Sequence, residues 1–557
     1  MKAQSLVAAA ASCALALVAC GPGQAGSSPQ AGNLSAPAGP VLVASPTAPL
    51  PVAIRQAVPL GPAGPGTQVY LSLGLKGRNP LRLAALLAAG QTVSPAEYAS
   101  EFGPDPALAE AAVAVLTGRG FHVTWSPASG LIAADGPAPA AATLFSVSIA
   151  NYRLANGTTF YASLDQPRIP AQLAAIVTSV TGLDSYTRTL SHAVRAGGLT
   201  PTDVLAFYNL QGLRNAGLDG AGQTVVLPEI DNLPNLGDLD KFAAKFGLPP
   251  FEPLLTVKRD PTWGTPEAPA GETAMDLEII HEVAPKAKLV IYLAGPQVAL
   301  ADRAFDQLVT DHLGSIISDS LGQCEAGVGS GHRNLYASIE DRAVAQGMGH
   351  FVASGDFGAY DCGEANGPSV DFPSSLPNIT AVGGTTAFQS IDGKYFKEMA
   401  WSAPIDQRGT GGGASIYYAR PDYQSGVAQA AGNGKRQVPD VASDADPGSG
   451  FSFIFGGRAG QAGGTSAAAP LWAGTMALIN QDLKKKGLRE AGFASPALYW
   501  MGQNSAKLPA PPFHDVVSGN NLATDAGPGW DFATGWGSMD AVALDQAWVL
   551  YIKGGGA

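Results

Sequence analysis

From Gln223 onward, short apolar runs alternate with stretches of helical character, and this restricts the fold more than any other feature of the chain. The runs include Thr224–Leu227, Lys288–Tyr292, Ser315–Ser318 and His350–Ser354. Strands that are apolar on both faces must be covered on both faces. A mostly parallel sheet with flanking helices does this. In such sheets, site residues gather on loops beyond the carboxyl ends of the strands.

Three segments of this region carry reactive side chains. The first is Gly463-Gly464-Thr465-Ser466-Ala467-Ala468-Ala469-Pro470. Its glycines permit close backbone approach, and a helix is predicted to start at or near Ser466. A hydroxyl there sits among free N–H groups at the positive end of the helix dipole, a setting that can stabilise an oxyanion. The second is the helical stretch Gly271–Ile280. Glu272 and Asp276, four residues apart, share one of its faces. Two carboxylates so placed perturb each other's proton affinity, which suits one of them for proton transfer. The third is Val352–Gly358, where Asp356 follows a buried strand between glycines. Taken singly, these segments also read as a capped Gly-rich loop, a solvated acidic helix face and a turn Asp.

The ends of the chain differ from its middle. After Lys2, Leu6–Ala19 is an apolar run too short for a membrane span, as expected of a signal peptide. It ends in Leu17-Val18-Ala19-Cys20-Gly21, which resembles the bacterial lipoprotein box. That resemblance implies cleavage before Cys20 and lipid on its sulfur, with plain secretion as the alternative. Because Gly21 rather than Asp follows, the outer membrane is the expected destination. Cys324 and Cys362 remain; in an exported protein such a pair invites a disulfide, and two free thiols are the other reading. Residues 20–57 are rich in Gly, Pro, Ala and Ser and read as a tether. Residues 58–184 alternate helices with short strands, including Val69–Leu75 and Gly130–Ala134, and suggest a compact α+β unit. Residues 185–200 lack a core pattern and read as a linker before a domain at 201–557. A net charge of -12 argues against nucleic acid as a partner.

Together, the three segments resemble the sedolisin family, the serine-carboxyl peptidases. Glu272-Thr273-Ala274-Met275-Asp276 resembles the family's Glu-x-x-x-Asp helix. Ser354-Gly355-Asp356 resembles its oxyanion segment, and Gly464–Pro470 its nucleophile loop. Val382-Gly383-Gly384-Thr385 and Pro439-Asp440-Val441 are similar to further family motifs. Residues 58–184 resemble the family's propeptide. The resemblance implies a subtilisin-like α/β catalytic unit preceded by a ferredoxin-like α+β propeptide. It also implies roles: Ser466 as nucleophile, Glu272 as general base, Asp276 as its orienting partner and a protonated Asp356 as oxyanion donor. Carboxyl groups suit acid conditions, since a Glu base titrates near 4.3 whereas a His base near 6.5 would be disabled. His514-Asp515-Val516 and Ala526–Asp531 resemble the halves of the family's calcium loop. One structural Ca²⁺ is therefore expected, held by the carboxylates of Asp515 and Asp531 and the carbonyls of Val516, Gly527 and Gly529. Some members extend the proton network with a further Glu and a Trp. Glu229 stands where such a Glu would be, whereas Leu321 replaces the Trp.

The expectation is a self-processing zymogen of an endopeptidase, monomeric, acting on proteins or peptides. It would be held at the cell envelope through Cys20 until processing releases it. Two rivals stand beside this reading. One is a subtilisin-type Asp-His-Ser peptidase, for which His281 is the nearest histidine. The other is a non-catalytic surface-binding lipoprotein on a peptidase scaffold.

Overall fold

The computed structural model describes residues 41–42, 57–154, 157–188, 190–191, 194–195, 198–427 and 434–554. The signal segment, Cys20 and most of the tether lie outside them. None of the described helices is long and apolar enough to cross a membrane.

The catalytic unit is built on an eight-stranded sheet. Its order begins Leu255–Lys258, Lys288–Leu293, Thr224–Glu229, Ile316–Asp319, Gly349–Ala353 and Thr380–Gln389. These strands are all parallel, and Val441–Asp444 joins Thr380–Gln389 in the same sense. Only Tyr395–Ala400, at one edge, runs antiparallel. The central strands carry almost no exposed residue, because helices cover both faces. On one face lie the helix Gly271–Val283, hereafter the acid helix, and Thr465–Lys485, hereafter the nucleophile helix, packed against each other. Val298–Asp311 and Ser330–Ala345 serve a second apolar cluster built on Val226, Val290, Ile317 and Val352. The acid helix is buried all round, consistent with its weak amphipathic character.

The N-terminal unit has its own core. Four antiparallel strands, in the order His122–Thr124, Leu131–Pro137, Gln68–Leu75 and Val177–Thr181, pack with helices such as Pro106–Thr117. Pro95–Glu101 begins with a capping box: Ser94 accepts from the Glu97 N–H, and Glu97 reaches back to the Ser94 N–H.

This sheet docks on the helices Val298–Asp311 and Ser330–Ala345. Ser72 Oγ donates to the Ala299 carbonyl at 2.8 Å, and Arg303 reaches both the Leu71 carbonyl (2.8 Å) and Asp135 (2.5 Å). Asp306 accepts from Ser129 Oγ at 2.7 Å and from Arg342 at 2.8 Å, and Arg342 also holds the Ala128 carbonyl.

Two stretches are more ordered than their composition suggests. Within the predicted tether, Val41–Leu42 pairs with Arg168–Ile169. Within the predicted linker, Leu190–Ser191 pairs with Leu321–Gly322, and Val194–Arg195 pairs with Ala462–Gly463. Two-residue strands have no periodicity to read; their backbone groups are satisfied by partners far along the chain.

Candidate active site

The nucleophile helix starts at Thr465, one residue before Ser466. Gly464 precedes it with φ of 99°, a conformation that disfavours any residue with a Cβ. Ser466 is fully buried, and its Oγ lies 3.3 Å from the Ser320 carbonyl oxygen, to which it donates. Ser320 sits just past the carboxyl end of the strand Ile316–Asp319. Its hydroxyl donates to Asp276 Oδ2 at 2.7 Å and lies 3.0 Å from the Ser466 carbonyl oxygen. Ser320 thus ties the acid helix to the nucleophile helix.

Glu272 and Asp276 are both buried, at 2% and 1% exposure. The spacing that allows a solvated acidic face instead produces two carboxyls enclosed in protein. Burial holds the Asp276 carboxyl well above the ordinary range, and the nearby Glu229 adds to the effect. Glu229 is raised in the same way, by burial and then by Glu272, and it accepts from Thr273 Oγ1 at 3.0 Å. Asp231 accepts from the Glu272 N–H at 3.4 Å at the start of the acid helix. The cluster therefore contains Glu229, Asp231, Glu272 and Asp276, and its protons belong to the group rather than to single residues.

Asp356 enters from the loop after Gly349–Ala353. Its Oδ1 accepts from the N–H and the hydroxyl of Thr465, at 2.8 and 2.9 Å. Its Oδ2 lies 3.9 Å from Arg408, whose guanidinium stacks on the Phe357 ring at 4.3 Å. Cys324 and Cys362 are disulfide-bonded. The bond ties the strand Leu321–Cys324 to the loop that follows Asp356.

The backbone of the predicted linker reaches both walls of this site. One wall is Leu321–Gly322, directly after Ser320. The other is Ala462–Gly463, just ahead of Ser466. His281 takes no part: its Nε2 lies 2.7 Å from the Pro249 carbonyl and its ring packs on Phe251. Burial pushes that imidazole down to about 4.

The calcium-like segments also meet. Asp515 accepts from the Gly529 N–H at 3.0 Å, and Asp531 accepts from the Gly527 N–H at 2.8 Å. Asp531 also accepts from the N–H groups of Ala533 and Thr534. Burial pushes its carboxyl up to about 6.

Sequence reasoning missed Ser320, Asp231 and Arg408 as members of this site. For Ser320 a signal existed: a hydroxyl at the carboxyl end of a buried parallel strand. Asp231 and Arg408 are brought in by loops that no pattern marks.

A parallel sheet covered on both faces, a Ser at a helix start, two enclosed carboxyls and a docked N-terminal unit define a subtilisin-like serine peptidase with an activation domain. The pro-kumamolisin activation domain matches residues 55–186, and the subtilase family matches residues 264–537. Sedolisin of Pseudomonas sp. (strain 101) is 32% identical over 558 residues, spanning 91% of each chain. Kumamolisin of Bacillus sp. (strain MN-32) is 33% identical over 461 residues, spanning 75% of this chain and 79% of that one. The solved structure of Pseudomonas sedolisin, a serine-carboxyl proteinase complexed with pseudo-iodotyrostatin, superposes with a TM-score of 0.56 at 31% identity. It covers 65% of this chain and 100% of that one. The chain belongs to the sedolisin family.

Proposed function

We propose that this chain is the exported zymogen of an endopeptidase that works in acid through a Ser466 acyl-enzyme. The supporting observation is the junction at Ser320, which joins Asp276 to the backbone of Ser466 while Asp356 grips the neighbouring Thr465. In this reading Ser466 Oγ attacks the scissile carbonyl while Glu272 takes its proton. Glu272 returns that proton to the leaving amine, and water repeats the cycle on the ester. Asp276 orients Glu272, and with Glu229 it keeps protons available in the cluster. Asp356, held at the nucleophile loop through Oδ1, donates to the developing oxyanion when it carries a proton. Hydrolysis of a denatured protein, followed from pH 3 to 8, tests the assignment. A maximum in acid is expected, with Glu272→Ala reduced at least a hundredfold. Full activity of Glu272→Ala at every pH excludes it.

Calcium fits the C-terminal loop. Asp515 and Asp531 offer hard oxygens that no Lys or Arg among the described residues pairs with, and Val516, Gly527 and Gly529 add carbonyls of adaptable backbone. A bound ion would supply the positive charge that the buried Asp531 lacks. Chelation is then expected to lower the melting temperature by several degrees, and Asp531→Ala to abolish the response, because ligand binding to the folded state stabilises by mass action. Identical melting with and without chelator would sink the site.

The lipid anchor on Cys20 belongs to the same reading. Stable anchoring needs two or more acyl chains. Cys20→Ala is expected to block incorporation of labelled fatty acid and to move the protein out of the membrane fraction. Absence of label in the wild type removes the anchor.

A further inference from the structure

Behind Ser320 lies a second set of buried charges. Asp319 ends the strand Ile316–Asp319 and directly precedes Ser320. Its Oδ1 accepts from the Leu321 N–H at 2.9 Å, across the turn that carries Ser320. Its Oδ2 accepts from Tyr336 Oη at 3.1 Å and faces His350 Nε2 at 3.4 Å. On the far side of the imidazole, His350 Nδ1 lies 2.9 Å from Glu340 Oε2. All four residues are buried: Asp319 at 2% exposure, His350 at 0% and Glu340 at 1%, with Tyr336 at 8%.

Enclosed charges are costly unless paired and hydrogen-bonded. An imidazolium between two carboxylates meets that condition and leaves the trio with one net negative charge. Burial alone would push the His350 imidazole down; the Glu340 and Asp319 carboxylates outweigh it and hold it up at about 9. The ring is therefore charged at any pH at which an acid peptidase works. Every packed element contributes to its surroundings. The strand Ile316–Asp319 supplies Asp319, and the helix Ser330–Ala345 supplies Glu340 and Tyr336. The helix Val298–Asp311 supplies the uncharged Phe305 ring, at 5.4 Å. The neighbouring His332 and Asp302, 2.9 Å apart, line the same small cavity as Asp319 and Tyr336.

We propose that Glu340, His350 and Asp319 are positioning residues that fix the Ser320 turn against Asp276 and hold one negative charge behind the catalytic carboxyls. The geometry carries this. Asp319 pins the turn at the Leu321 N–H, and the hydroxyl inside that turn donates to Asp276 Oδ2. The electrostatics agree in sign: the Asp319 charge helps keep Glu229 and Asp276 protonated, behind the larger effect of burial. Removing that charge makes ionisation of the cluster easier. The acidic limb of kcat/KM, where the base loses its proton, must then move to lower pH.

The inference rests on the peptidase mechanism proposed above, and the test separates the two. The full chain is activated in acid, and kcat and KM on a peptide substrate are measured from pH 2.5 to 7. Wild type, Ser466→Ala, Asp319→Asn and Glu340→Gln are compared. Asn at 319 keeps an oxygen for the Leu321 N–H and removes the charge, while its amide NH2 replaces the oxygen that faces Tyr336 and His350. The limb is expected to fall by roughly one pH unit, the size of one unit charge acting across a layer or two of side chains. Glu340→Gln, one residue further back, is expected to move it the same way by less. This variant decides the matter alone if Asp319→Asn does not fold. A limb unmoved in the folded variants overturns the inference even if kcat falls, since a purely structural role would lower activity without shifting the profile. Activity remaining in Ser466→Ala would overturn the mechanism itself.

Discussion

Ser466→Ala is expected to stay at full length after acid treatment, under conditions in which the wild type shortens to a form beginning near Thr200. The reason lies in how the segment before Thr200 is held. Its backbone pairs with Leu321–Gly322 on one side of the site and with Ala462–Gly463 on the other. Residues 190–191 and 194–195 are thus bound by their main chain, as an extended substrate is. Downstream, Leu199 donates its N–H to the Gly450 carbonyl at 2.6 Å. Thr200 then caps the helix Pro201–Phe207, with Asp203 completing a capping box. A cut beyond Thr200 would remove that cap, at a cost of about 1 kcal/mol. The new N-terminus is therefore expected between Ser191 and Thr200. Removing the nucleophile from a subtilisin triad costs on the order of 10⁶ in kcat. A comparable loss here would bring processing of the mutant below detection by gel and intact mass. Equal processing of purified Ser466→Ala, free of other peptidases, would show that another enzyme makes the cut.

The same contacts bear on how the N-terminal unit is retained. Arg303 and Asp306 of the catalytic unit both reach residues of the N-terminal sheet and its loops. Arg303 and Asp306 are almost wholly buried, at 3% and 4% exposure. A cut in the linker leaves these bonds in place. Release of the mature enzyme is then a separate step from cleavage.

Much of this was legible in the sequence, and the reasons can be given residue by residue. The parallel sheet announced itself through apolar runs such as Lys288–Tyr292, because strands covered on both faces tolerate few polar residues. Glu272, Asp276, Asp356 and Ser466 were legible because each lies in a short segment with its own spacing. The position of Ser320 between two helices was not legible, since it arises from packing and not from local pattern. His350 read as one member of a buried strand. Its charge is explained only by Asp319 and Glu340, which the fold brings to either side of it. The pairing of residues 190–191 and 194–195 escaped for the related reason that their partners lie more than a hundred residues away.

The melting temperature of the full-length Ser466→Ala chain is expected to fall by 10 °C or more between pH 6.5 and 9. The variant is chosen to prevent autolysis during the measurement. Several carboxyls are enclosed and raised chiefly by burial: Glu398 to about 7, Glu278 to about 9, and Glu282 well above the ordinary range. Neither oxygen of Glu282 has a hydrogen-bond partner among the described residues. Asp444 is raised well above its ordinary value as well. A carboxyl raised in the folded state binds more protons there than in the unfolded chain. Stability then falls as pH climbs from the unfolded value toward the folded one. For Glu278 the part of the shift that lies between pH 6.5 and about 9 corresponds to roughly 3 kcal/mol, whereas most of the loss from Glu398 falls below pH 6.5. Two histidines oppose the trend at low pH. His281 and His514 are pushed down to about 4 by burial, so the unfolded chain gains protons first as pH drops below 6.5. Their effect is complete above 6.5 and cannot offset anything there. His350, held at about 9, contributes stability that is full below 6.5 and is lost on the way to 9, in the same direction as the carboxyls. The interval from 6.5 to 9 is therefore one of loss alone. Each kcal/mol is worth about 2–4 °C or less in a chain of this size, so several such groups together give the stated fall. Glu282→Gln, nearly isosteric and unable to ionise, is expected to recover part of it at pH 9 and little at pH 4. A melting temperature that is flat or rising across the interval would mean that these carboxyls ionise without cost. The enclosure that raises them would then play no part in confining the folded enzyme to acid.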